Sequence, residues 1–425
     1  MNDNRAGKPR LLLALMGVLV LATAAAAENW PAWRGPRGDG ISTEKNIPSK
    51  WSKTENVAWR LPLPGPAGST PIVWEDRIFL TSVDGDDLVL LCVGTDGKQL
   101  WRRVVGTGNV NVRGDEGNSA APSPSTDGKY VWVFFTSGDL ACYDFQGEQI
   151  WKCNVQERYG RFKMFFGMSS TPVLYGERLY LQLIHSGGAK VIALDKNTGE
   201  EVWVRKRESD ARGECEHAYA SPRIYRDSQR EYLLTHGADY IIAHDLAGGR
   251  ELWRCGNLHP ASGYNPTLRF VASPLAVPGM IVVTSAKKGP TVALRPDGSG
   301  DITDKPAYHL WRHDATPDVP SPLAVNSLVY LYRENGNLVC LDAKTGKQYY
   351  EERTHPGRHR ASPVHADGKI FLAARDGCVT VVKPGKRYEI IAENDIQEPL
   401  TSSAVISGGR LYLRSYEALY AIGGK

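Results

Sequence analysis

Any chemistry in this chain must draw on its seven cysteines, ten histidines and 47 acidic residues. Cys92, Cys142, Cys153, Cys215, Cys255, Cys340 and Cys378 include no adjacent pair and no C-x-x-C. Their spacing therefore gives no metal ligands and no redox pair, and the odd count leaves at least one thiol unpaired within a monomer. Asp84-Gly85-Asp86-Asp87 has the composition of a Ca²⁺ loop but reads as a polar hairpin turn. Asp115-Glu116 offers two carboxylates, yet acid–base pairs work across a cleft, and neighbours in sequence do not establish one. The chain has no G-x-S-x-G, no H-E-x-x-H and no phosphate loop ending in Gly-Lys-Ser/Thr. No catalytic residue is assigned on these grounds.

Residues so scattered can converge only if repeated elements bring their loops together, and this chain repeats. A small or hydroxylated residue, a proline and an apolar run recur at Thr70-Pro71, Ala121-Pro122, Thr171-Pro172, Ser221-Pro222, Ser273-Pro274, Ser321-Pro322 and Ser362-Pro363. Ser403-Ala404 is an eighth copy, and neighbouring copies stand 41 to 52 residues apart. A second element, A-x-D-x-x-T-G-x-x-x-W, is complete at Ala193–Trp203 and nearly so at Ala243–Trp253. Ala141, Gly147 and Trp151 keep part of it, as do Gly97 and Trp101. Cys340–Tyr350 places tyrosine where the others have tryptophan, an insertion precedes Trp311, and the copy at 381–388 is degenerate.

Between the two elements, short apolar runs alternate with glycine turns, which predicts four antiparallel strands per unit. In the third copy these are 172–175, 178–183, 190–194 and 200–205. The outer-strand indole needs a notch, and the alanine or cysteine of the third strand supplies it. Cys92, Cys142, Cys340 and Cys378 are then buried third-strand residues, and Cys153 and Cys255, each two residues after a repeat tryptophan, are packing residues.

One four-stranded unit cannot bury both faces, so the units must stack. The last copy, 403–422, has room for three strands, whereas residues 56–61 form an orphan strand carrying Trp59. Joining the two closes a ring and removes the free edge. The expected fold is all-β, an eight-bladed β-propeller forming one domain over 28–425, with blades starting near Gly68, Asn118, Gly167, His217, Phe270, Val319, His359 and Leu400. The 43 glycines and 26 prolines are its turn chemistry.

Residues 1–27 read as an export signal. Arg5, Lys8 and Arg10 precede an apolar run over 11–27 that ends in Ala25-Ala26-Ala27. That run is shorter than the ~20 residues of a spanning helix. The expected location is periplasmic or secreted, with no transmembrane segment after cleavage. The leader holds two of the four net positive charges, so the remainder has no electrostatic case for nucleic acid.

The A-x-D-x-x-T-G-x-x-x-W repeat, the Ser-Pro strand starts and the opening Asn29-Trp30-Pro31-Ala32-Trp33-Arg34-Gly35-Pro36 resemble the pyrroloquinoline-quinone-like β-propeller repeat proteins. The resemblance spans nearly all of the chain after the leader. It implies the propeller, and either a quinoprotein oxidoreductase using pyrroloquinoline quinone with Ca²⁺ or a non-enzymatic scaffold, as in the lipoprotein of the outer-membrane β-barrel assembly machinery. The family's dehydrogenases carry an adjacent cysteine pair over the quinone, which this chain lacks, and none of their ligands maps onto it by motif. The lipoprotein's lipid-bearing cysteine is also absent near the leader.

In a propeller the loops between blades and the loops between second and third strands ring one channel mouth. The candidate ligand-binding residues there are Arg113, Asp115, Glu116, Glu216, His217, Tyr219, Arg269, Asp318, His359, Arg360 and Glu398 before first strands, with Lys287, Arg333, Arg375 and Arg414 on the other loops. Phe165, Phe166, His185, His236 and Asp239 belong to the same two sets of loops. The rim is either polarised, basic over the last four blades against acidic loops opposite, or of ordinary mixed sign. The expected ligand is a protein, peptide or glycan at this face of a monomer, and the alternative is quinone-dependent oxidation.

Overall fold

The protein is described by a computed structural model covering residues 1, 27–112, 117–260, 262–314 and 316–424. The expected leader lies outside the described residues apart from Met1 and Ala27. Eight sheets follow one another along the chain. In sequence order they occupy residues 72–107, 125–154, 173–206, 223–255, 275–313, 323–353, 364–395 and 405–422, and are called blades 1 to 8 here. Each is a four-stranded antiparallel meander. Blade 3, for example, runs Val173–Tyr175, Arg178–Leu183, Lys190–Asp195 and Glu201–Lys206.

Val57–Pro62 pairs antiparallel with Ala418–Ile422 and supplies the fourth strand of blade 8, with Trp59 opposite Ala421. The ring is closed by the two ends of the chain. The insertion before Trp311 has a structural use: Gly300–Asp301 joins the outer strand of blade 4 in parallel, giving that sheet a fifth strand.

Third strands read as nearly continuous apolar runs because both of their faces are buried. In Lys190–Asp195, Ile192 and Leu194 pack with Trp132 and Cys142 of blade 2. Val191 and Ala193 pack on the other side with Trp203 and with Leu233 of blade 4. Alternation along one strand thus glues two neighbours.

The repeat tryptophans act between blades as well as within them. Ala193 is register partner to Trp203, as the notch argument requires. The indole then reaches the next blade, where its N–H donates to the Leu246 carbonyl at 3.2 Å. It lies on Gly249, whose φ is +73° and where a Cβ would stand 2.5 Å from the ring. The T-G of the motif is therefore a docking platform, with glycine required both for the positive φ and for the close approach. Trp59, Trp101, Trp151 and Trp311 repeat the bond to the next turn, at 2.9, 2.9, 2.9 and 2.8 Å. In blade 7 the position belongs to Ala392, opposite Val381. Trp51, donating its backbone N–H to Asn394, is buried in the same cluster as Ala392.

Two sequence expectations need correction. The second proline copy is Ser123-Pro124, two residues beyond Ala121-Pro122. Ser123 makes the inter-blade bond of its equivalents, and the tandem A-P-S-P hides the register. Cys378 is only half-buried, since it opens its strand opposite Asp395, and Val381 rather than Cys378 faces the tryptophan-equivalent Ala392. All seven cysteines are free thiols.

Candidate functional site

The channel is built by the first residue of each proline copy. Its backbone N–H donates to the hydroxyl of the next blade's equivalent. The chain of bonds runs from Thr70 to Ser123, Thr171, Ser221, Ser273, Ser321, Ser362 and Ser403, then back to Thr70, each 2.8–3.2 Å long. A strand start inside a closed ring leaves a buried donor with no ladder partner. A hydroxyl at the same place one blade on satisfies it, which explains the recurrence of Ser or Thr before the proline. All eight residues line a lumen of about 190 Å³.

The floor of that lumen is the segment after Glu28. Trp30 exchanges backbone bonds with Val73, and Thr126 donates to the Pro31 carbonyl. The Arg34 guanidinium is buried and donates to the carbonyls of Pro363, Asp39 and Pro322 at 2.8, 3.0 and 2.9 Å. Burial, reinforced by Arg223, lowers its pKa to about 9. Trp33 faces the lumen. Below it, a cleft of about 470 Å³ separates Pro31–Asp39 from the first strands of blades 2 to 5.

At the mouth, the structure gathers some of the sequence candidates and disperses others. Over blades 3 and 4, His217 stands edge-on to Phe165 at 5.1 Å and Tyr219 to Phe166 at 5.7 Å. The Arg269 guanidinium lies 4.9 Å from the Phe166 ring and 3.3 Å from Glu214. Glu216 ends the short 3₁₀ turn Gly213–Glu216 beside them. Burial lowers the pKa of His217 and raises that of Tyr219 to about 12, so both are neutral at pH 7. Phe165 is 70 % exposed and Val110 64 %.

Over blades 5 to 7, Lys287 lies 3.5 Å from both Asp318 and Glu334. Glu334 also accepts from Arg358 at 2.7 Å and stands 3.6 Å from Arg360. Desolvation raises the Asp318 pKa, and the neighbouring Glu334 adds to it. Desolvation acts upward on Glu334 too, but bonds from Arg358 and Asp318 outweigh it and hold that carboxyl at about 2. Sequence reading passes over Glu334 because it sits in the polar turn Arg333-Glu334-Asn335-Gly336, which looks like any hairpin tip.

The remaining candidates are elsewhere. Arg333 pairs with Glu351 on its own blade at 2.8 Å. Arg375 takes part in the backbone of the blade 7 to blade 8 connection, donating its N–H to Arg358 and accepting from Leu400. His359 is buried against the Tyr332 hydroxyl. Arg414 is buried in the seam between blades 8 and 1, donating to Ser69. Glu398 is buried with Arg60, Tyr420 and Ser415. Arg113, Asp115 and Glu116 lie outside the described residues. Among the described rim residues, Lys287, Arg333 and Arg269 each meet a carboxylate in place.

The lumen tests the quinone that the fold suggests. Trp33 offers an aromatic face. Among the described lining residues, however, no carboxylate and no amide is present to hold Ca²⁺. No two cysteines are adjacent to cover the ring. The space is also below the about 300–1,000 Å³ usual for such ligands. A calcium-bound quinone does not fit this lining.

The comparisons agree with the architecture. The family model described as outer membrane protein assembly factor BamB matches residues 49–180, 143–306 and 303–387. Among solved structures, BamB from Moraxella catarrhalis is similar at 16 % identity and TM-score 0.63, covering 87 % of this chain and 97 % of that one. A europium-containing methanol dehydrogenase is similar at 11 % identity and TM-score 0.69, covering 92 % and 90 %. The quinohemoprotein alcohol dehydrogenase from Comamonas testosteroni follows at 12 % and 0.64, covering 94 % and 81 %. At these identities the likeness is one of fold. No curated protein matches.

Proposed function

The chain belongs to the outer membrane protein assembly factor BamB family, and from that premise we propose that it is an exported, non-enzymatic propeller that binds a protein or peptide segment across the channel mouth. The observation that carries this reading is Phe165, a large apolar side chain 70 % exposed on the mouth face. It stands against the ring of His217. Its loop and that of Val110 are neighbours, for Gly167 approaches the Val112 side chain. Exposed aromatics of this kind, held by rigid neighbours and rimmed with polar groups, are the anchors of protein interfaces. The internally paired charges of the rim add orientation and leave the aromatic arc as the adhesive part.

The lumen supports the same reading. It is closed below by Arg34 and Trp33, and the eight hydroxyls of its ring are already engaged with backbone. Among the described residues of its wall there is no acid–base pair. No helix among the described residues of the chain is long and apolar enough to cross a membrane. The test is Phe165→Asp in the cell that makes the protein. A specific co-purifying protein should be lost from this variant while its thermal unfolding is unchanged. Alcohol oxidation by the wild-type chain on addition of pyrroloquinoline quinone and Ca²⁺ would contradict the proposal.

A further inference from the structure

Outside the lumen, three loops of the mouth face bring a thiol, a carboxylate and an imidazole together. Cys215 comes from the connection between blades 3 and 4, Asp239 from the hairpin between the second and third strands of blade 4, and His259 from the connection to blade 5. One ligand atom from each lies within 4.8 Å of the other two. Cys215 is fully buried, and the Asp239 and His259 side chains are 8 % and 11 % exposed. His259 Nε2 is 2.6 Å from Asp239 Oδ1, and its Nδ1 is buried without a partner. The Tyr264 hydroxyl accepts from the Arg212 backbone N–H at 2.8 Å, and its ring lies 4.3 Å from that of His259, tilted by 40°.

We propose that Cys215, Asp239 and His259 form a binding site for a zinc-class divalent cation. The donor set decides the class. A thiolate, an imidazole and a carboxylate together suit a borderline-soft ion, whereas Ca²⁺ and Mg²⁺ require an all-oxygen shell. Three protein ligands leave the fourth tetrahedral position to water. Binding breaks the Cys215 S–H bond and forms a sulfur–metal bond, and the proton passes to solvent. The neutral imidazole keeps its single proton on the nitrogen that does not ligate. No redox partner is needed. The carbonyls of Asn265 and Leu268, which accept from the thiol at 3.2 and 3.1 Å, must turn aside when the thiolate forms. They belong to a segment that contains Gly263 at φ +112°.

The cluster invites a second chemistry, a thiol nucleophile served by the histidine, and one experiment separates the two. The full chain, reduced and stripped with a chelator, is titrated with Co²⁺ as a visible substitute for Zn²⁺. The proposal expects saturation at one ion per chain, release of one proton, and a thiolate-to-cobalt charge-transfer band that Zn²⁺ abolishes. Cys215→Ser should remove that band. Asp239→Asn and His259→Gln should each weaken binding by about 10–100-fold or more, the lower figures being usual even for outer-shell partners. Wild-type protein needs no variant: Zn²⁺ should slow alkylation of Cys215, followed by peptide mass spectrometry, and leave Cys378 unaffected. Absence of the band, its survival in Cys215→Ser, or alkylation of Cys215 that ignores Zn²⁺ but slows in His259→Gln would overturn the proposal.

Discussion

The two ends of the central channel are made from the same eight blades and differ in what covers them. At the floor, Arg34 fixes the segment 30–40 by donating to three carbonyls from two blades and its own turn. Trp30 and Ile41 extend the attachment by backbone bridges to Val73 and His365. At the mouth, long connections stand above the hydroxyl ring and leave Phe165 and Val110 in solvent. His217 keeps a buried Nδ1 without a partner there. The floor spends the Arg34 donors on the fold, and Trp30 Nε1 and both His365 ring nitrogens are buried there without a partner, so unsatisfied polar atoms occur at both ends. What distinguishes the mouth is its exposed apolar surface, which is what a binding face requires.

That contrast can be broken first at the floor. Arg34→Met removes the donor shared by Pro322, Pro363 and Asp39 and leaves those buried carbonyls unpaired. Urea denaturation should show a loss of about 3–5 kcal/mol, the range for opening a buried charged network. A loss below about 1 kcal/mol would mean that the segment rests on the channel without closing it. Next in size is the hydroxyl ring. Ser273→Ala orphans the Ser221 N–H and should cost about 1–3 kcal/mol.

The blade beneath the mouth's aromatic arc responds to acid. His236 and His244 of blade 4 are lowered to about 4, chiefly by burial. An unfolded histidine titrates near 6.5. The unfolded chain therefore binds more protons between pH 6.5 and 4, and stability falls as pH is lowered through that window. Each histidine contributes a slope of about 1.4 kcal/mol per pH unit. In His236→Gln the measured slope should drop by one proton, and an unchanged slope would contradict the buried neutral state. The smallest effect belongs to the mouth itself. Phe165→Ala should alter unfolding free energy by no more than about 0.5 kcal/mol, as for an ordinary surface change.

Much of the ring was legible because propeller repeats are local. The turn residues, the Ala–Trp register and the orphan strand at 56–61 all lie within one unit or at the chain ends, and each leaves a periodic trace. What crosses between units left less. The A-P-S-P run concealed Ser123, whose role shows only against Thr70 and Thr171. The pairing of Lys287 with Asp318 and Glu334 spans two blades and has no spacing rule. Arg414 and Glu398 had the right loops for a rim, but their side chains turn into the seam where the ring closes. Trp33 and Arg34 were visible as part of an opening motif, yet nothing in their order says that this segment floors the channel. Cys215 and His259 sit 44 residues apart in sequence and meet only because successive blade connections rise on one face.

The most direct measurement places a photo-crosslinking residue at position 165 on the mouth, or at position 226 beside the underside cleft, in otherwise native protein expressed in its own cell. The binding-face account predicts a discrete protein adduct from position 165 and none from position 226. Equal adducts from both, or an adduct from 226 alone, would contradict it.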